Sequence, residues 1–154
     1  MNLNSDKKGQ IYMTLKEYLS QAVKLDKAID SAILRIDEWK RFGMKSRSFL
    51  MTGGGNAQSS AVERTVIKIN QAEEKLNREI DRYVDTQNKI RALIMLLENP
   101  EERAVLERHY LLGQTWEKVA EECYVSLRTV HYQHNKALRK LEPYYLKEYK
   151  ESAA

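Results

Sequence analysis

The chain has 154 residues, enough for one core or for one small domain beside an extended element. Charged side chains make up 31% and no apolar run approaches the ~20 residues that a bilayer-spanning helix needs, so neither a membrane-spanning chain nor a membrane partner is expected. One cysteine cannot form an internal disulfide, and the polar stretch Met1–Gln10 has no apolar signal-peptide core, so a cytoplasmic protein is expected.

In chain order, residues 1–13 read as a flexible tail. From Thr14 to about Gly43 one heptad frame holds, with Leu15, Ala22, Ile29 and Ile36 at one position and Tyr18, Leu25, Ala32 and Trp39 three residues later. A second frame runs from Ala61 to Glu98, where Val62, Ile69, Leu76, Tyr83, Ile90 and Leu97 recur every seven residues. Residues 44–60 between them are rich in Gly and Ser and read as a flexible connection. Its three glycines lack the spacing and the Lys-Ser/Thr of a phosphate-cradling loop, which leaves a linker as the reading. The basic cluster Lys40, Arg41, Lys45 and Arg47 is read as a solvated helix end, with a DNA contact as the alternative. The predicted fold class is therefore all-α, with residues 14–98 forming a long two-helix coiled-coil-like hairpin. Pairing within one chain or between chains stays open.

Residues 99–154 read as a separate helix-turn-helix domain. Pro100 suits the first turn of a helix, Glu101 and Glu102 suit its positive end, and Gly113 ends it. Thr115 has the side-chain oxygen of an N-cap, and Trp116, Val119, Ala120 and Cys123 make one apolar face on a short helix. Tyr124 and Val125 break that pattern, Ser126 is a second N-cap, and a helix follows from Leu127 to about Leu141. Wound at 3.6 residues per turn, Leu127, Val130, Ala137, Leu138 and Leu141 fall on one side. Arg128, Tyr132, Asn135, Lys136 and Arg139 fall on the other, with Thr129 and His131 on the flanks. That outer side offers a guanidinium, an amide, a hydroxyl and ammonium groups, the chemistry that reads base edges and grips phosphates. Pro143 is expected to end this helix or to open a short final one, and Tyr144, Tyr145 and Tyr149 to close the core or form a dimer contact.

The run PEERAVLERHYLLGQTWEKVAEECYVSLRTVHYQHNKALRKL resembles region 4 of bacterial sigma factors, the part that recognises the upstream promoter element. With the long helices before it, the whole layout resembles the sigma-region-4-like late transcription regulators of phages and prophages, of the ArpU/RinA type, in Gram-positive bacteria. The resemblance implies DNA contacts at Arg128, Thr129, His131, Tyr132 and Lys136. Gln133 departs from it, standing where sigma factors usually carry an aliphatic residue. No segment for promoter melting is recognisable, so a complete sigma factor is not expected.

Charge qualifies this reading. Residues 1–97 carry 17 basic and 12 acidic side chains, whereas residues 98–154 carry 9 and 10, so DNA binding would rest on a local stripe of the second helix. The partners expected are double-stranded DNA, a second copy of the chain with a dimer favoured, and RNA polymerase. No enzyme activity, metal, cofactor or small-molecule substrate is expected: His109, His131 and His134 lack zinc spacing, and Cys123 lies on an apolar face. A polymerase- or sigma-binding module that does not read DNA, and a DNA-packaging recognition subunit, remain as alternatives.

Overall fold

A computed structural model describes residues 13–50 and 56–153, with side chains over 13–45 and 60–148. All regular structure among them is helical: α1 (Leu15–Leu19), α2 (Gln21–Leu50), α3 (Asn56–Ile94), α4 (Pro100–Leu106) running into a wider π turn (Glu107–Leu111), α5 (Trp116–Glu122) and α6 (Leu127–Ala153). The all-α architecture of two long helices followed by a helix-turn-helix is the one the heptad frames and caps predict.

The chain divides into two compact units, one of Met1–Lys24 with Asp85–Ala154 and the other of Leu25–Val84. In the second, Lys40 pairs with Glu73, and Tyr83 lies in the field of Asp26 and Asp30. These partners run in opposite order along the two helices, so α2 and α3 form an antiparallel hairpin within one chain. Among its described residues Ile29 and Ile36 are buried, and Ala32, Trp39, Ala72 and Leu76 line a groove beside them. The expected connection at 44–60 is shorter on both sides: α2 continues to Leu50 and α3 begins at Asn56. Helix extends there because Met44–Leu50 contains no Gly or Pro to stop it. Residues 51–55 and 1–12 lie outside the described residues.

The unit that carries the helix-turn-helix takes in more chain than residues 99–154. Leu15, Leu19 and Ala22 from the N-terminal segment are buried, as are Ile90, Leu93, Ile94 and Leu97 at the end of α3. Thr14 and Glu17 make a full capping box at α1, each side chain satisfying the other's backbone N–H. Ser20 separates α1 from α2 where the heptad frame predicts one helix; its hydroxyl donates back to the Lys16 carbonyl at 2.7 Å, a bond that bends helices. Met13, expected in a flexible tail, is tied down by the Tyr145 hydroxyl on its carbonyl and by Gln21, whose amide donates to its sulfur at 3.1 Å.

Candidate nucleic-acid interface

Thr115 and Ser126 cap their helices as expected, and α4 starts on a further cap, Asn99. Asn99 accepts from the backbone N–H groups of Glu101 and Glu102 at 2.8 and 3.4 Å, with Pro100 directly behind it. Thr115 accepts from Lys118 at 3.3 Å, and Ser126 accepts from Thr129 at 3.1 Å. The expected helix ending at Gly113 closes differently from a plain α-helix. Its last turn widens to a π turn, with Leu112 N–H bonded to the Glu107 carbonyl and Gln114 N–H to that of Arg108, before Gly113 reverses the chain at φ 68°.

The turn between α5 and α6 is a Schellman motif. Val125 N–H reaches the Ala120 carbonyl at 3.1 Å and Tyr124 N–H that of Glu121 at 3.2 Å. Tyr124 therefore occupies a left-handed position, φ 56°, that glycine takes without strain, and it is 96% exposed. Beneath the turn, Val105, Val119, Ala120 and Val130 form a buried cluster against Trp116, Cys123 and Val125. This packing fixes the second helix of the motif on the first.

α6 presents two distinct faces. Val130, His134, Ala137, Leu141 and Tyr145 are buried at spacings of four and three. Leu127, expected on that side, is 39% exposed at the helix start. Arg128, His131, Tyr132, Asn135, Lys136 and Arg139 are exposed, Tyr132 at 63%, and Thr129 is half-buried with its hydroxyl 2.9 Å from Ser126 Oγ. His131 leans against Trp116, ring centres 5.3 Å apart. Lys136 Nζ lies 6.0 Å over the Tyr132 ring and 3.7 Å from Glu102. Instead of ending at about Leu141, the helix continues through Pro143 to Ala153. Pro143 removes the N–H that would serve the Arg139 carbonyl, but both residues are exposed, so water can replace that bond. Of the three tyrosines beyond it, Tyr145 is buried against Tyr18, Tyr144 is exposed, and the side chain of Tyr149 lies outside those described.

Two polar features lie behind the exposed face. Tyr110, brought inward by the π turn, shares a 2.7 Å hydrogen bond with His134 Nε2. Burial pushes the Tyr110 hydroxyl up to about 12, so it is the donor and Nε2 the acceptor. Burial, followed by the charge of Lys16, pushes His134 down to about 4 and keeps the ring neutral. Trp116 stacks on His109 at 3.6 Å and meets His134 edge-on at 4.6 Å; burial lowers His109 as well. The second feature is Glu102, 1% exposed, whose two oxygens accept from Lys140 Nζ at 3.0 and 2.9 Å. Next to it Glu101 accepts from Gln133 at 3.0 Å. Across α5, Arg108 and Gln114 both hold Glu122, and the amide of Gln114 is the first cause of that carboxyl's lowered pKa. Among the described residues, no group of His, Cys, Asp or Glu is arranged to hold a metal ion, and no helix is long and apolar enough to cross a membrane.

A family model described as sigma-70, region 4 matches residues 88–141. This helix-turn-helix is sigma-region-4-like. The matched segment covers α4, α5 and the first half of α6, and begins inside α3, where Ile90, Leu93 and Ile94 join the same core. Sigma-70 region 4 is a DNA-binding, transcription-regulatory module, and the match suggests a role of that kind for this domain. No curated protein and no solved structure matches the chain.

Sequence reasoning missed the buried pair of Glu102 and Lys140 and the π turn. Glu102 and Lys140 are 38 residues apart on different helices, so no local spacing signals the pair. Nothing in the run Glu107–Leu111 marks a wider turn in advance.

Proposed function

We propose that the chain is a sequence-specific DNA-binding transcription regulator of phage type. In this reading α6 lies in the major groove and reads promoter DNA through Arg128, Thr129, His131, Tyr132, Asn135, Lys136 and Arg139, while α5 braces it. Arg128, in the first turn of α6, is the residue for a guanine edge, and Lys136 and Arg139 are phosphate contacts. The α2–α3 hairpin pairs two copies of the chain or engages bacterial RNA polymerase, inside the host cytoplasm.

One observation carries this reading: α6 keeps a polar, aromatic and basic face exposed on a turn whose other side is fully packed. The test is binding of Arg128→Ala and Tyr132→Ala to a site selected by the parent, with helicity as the control for folding. Both variants should lose the preference for that site while keeping the fold. Variants that bind it as the parent does would remove the reading face.

A second reading is a polymerase-binding module that uses the sigma likeness without touching DNA. The near-neutral charge of residues 98–154 favours it, since a DNA reader without net positive charge forgoes much of the electrostatic affinity. Co-purification with polymerase that survives nuclease and Arg128→Ala would favour this module. A ring-sized oligomer in light scattering would instead favour a packaging recognition subunit.

A further inference from the structure

The lysine edge of α6 holds a buried carboxylate. Glu102 is 1% exposed, and both of its oxygens are taken by Lys140 Nζ at 3.0 and 2.9 Å. Lys136 stands further off, at 3.7 Å, and leans over the Tyr132 ring. Both lysines are close to half-exposed, so the pair sits at the rim of the domain with its carboxylate inside and its ammonium groups outside. A carboxylate held this deeply needs a cation beside it, because an unpaired buried charge is strongly destabilising. Lys140 supplies that cation, and one unit of positive charge on α6 is thereby cancelled.

We propose that Glu102 acts as an internal stand-in for a DNA phosphate: it occupies Lys140, withholds that charge from the duplex, and leaves Lys136 as the phosphate contact on this edge. This inference rests on the reading that α6 faces DNA. It adds a residue that sets affinity from behind the interface, by deciding how many charges the interface presents. Weak binding by a single copy follows, and with it dependence on a second copy or a partner to hold the domain on its site.

Salt dependence counts phosphate contacts, so it reads the proposal directly. The logarithm of affinity falls against the logarithm of salt concentration with a slope of about 0.9 per phosphate neutralised. The full chain would be titrated with a generic duplex longer than one helical turn across a salt series. Glu102→Gln keeps a side chain of the same shape that can still accept from Lys140, but it frees the ammonium charge. Its slope should steepen by about 0.9 relative to the parent, with several-fold tighter binding at low salt. Glu101→Gln removes an equal charge one residue away from a side chain bonded to neutral Gln133, and should leave the slope where it was.

Glu102→Gln with Lys140→Gln removes the buried charge and its cation together, so it leaves no unpaired buried ion if the single variant folds poorly. The double variant should return to the parent slope. A slope about 0.9 shallower than the parent would mean that Lys140 already contacts DNA, and would overturn the proposal. Equal slopes for the parent and Glu102→Gln, or equal changes for Glu101→Gln and Glu102→Gln, would overturn it too. A parent that binds no duplex removes the DNA reading and this inference together. A parent that binds, with a slope indifferent to Glu102, removes this inference alone.

Discussion

Mild acid should loosen the helix-turn-helix unit through one residue. His134 is 4% exposed, accepts from Tyr110, and has its pKa pushed from 6.5 to about 4 by burial. In the unfolded chain the same imidazole protonates near 6.5. Between these values the unfolded state binds the extra proton, so stability is fully present above about pH 6.5 and is lost as pH falls towards 4. Integrated from pH 7 down to pH 5, His134 alone contributes a loss of about 2 kcal/mol. That is a large part of the roughly 5–15 kcal/mol by which a domain is usually stable. Burial lowers His109 in the same direction, so it adds to the loss. Urea unfolding followed by far-ultraviolet circular dichroism at pH 7, 6 and 5 measures the change. The comparison is His134→Leu with Tyr110→Phe, which removes donor and acceptor together and leaves neither buried group unpaired. The double variant should keep only the shallower pH dependence that His109 contributes. If parent and variant lose stability in parallel from pH 7 to pH 5, His134 is not held neutral in the fold and the reasoning fails.

Two further predictions come from the turns. Tyr124→Gly should raise stability by about 1 kcal/mol, because φ 56° costs a tyrosine what it does not cost glycine, and a 96% exposed ring gives up no packing; a lower unfolding midpoint would show that the left-handed turn is not the solution geometry. Gly113→Ala should do the reverse and cost about 1 kcal/mol. The nearest atoms to an added Cβ are those of Val23 at 3.9 and 4.0 Å, so the cost is backbone strain at φ 68° and not a clash. An unchanged or raised midpoint would contradict it.

The parts of this fold legible in the sequence are those that local chemistry dictates. Thr115 and Ser126 cap because their side-chain oxygens satisfy N–H groups that no helix can satisfy for itself. The buried and exposed faces of α6 follow from winding its residues at the helical period, and Leu127 alone among the expected core positions lies largely open. The illegible parts depend on long-range partners. α6 passes through Pro143 because Tyr145, two residues on, is held by Tyr18 and by the Met13 carbonyl. Residues 13–24 join this unit through Leu15, Leu19 and Ala22; Leu15 and Ala22 lie on the heptad frame, whose spacing fits a coiled-coil seam as well as a globular core. In the candidate interface, exposure could be read from periodicity, whereas the occupation of Lys140 by Glu102, 38 residues away, could not.

The central claim, that α6 reads DNA, is tested most directly by selecting bound fragments from a library of the source genome at roughly physiological salt, with the parent and Arg128→Ala side by side. The account predicts that the parent enriches one or a few upstream sites and that the variant loses them. Equal and unselective binding by both, or no binding by the parent, would contradict it.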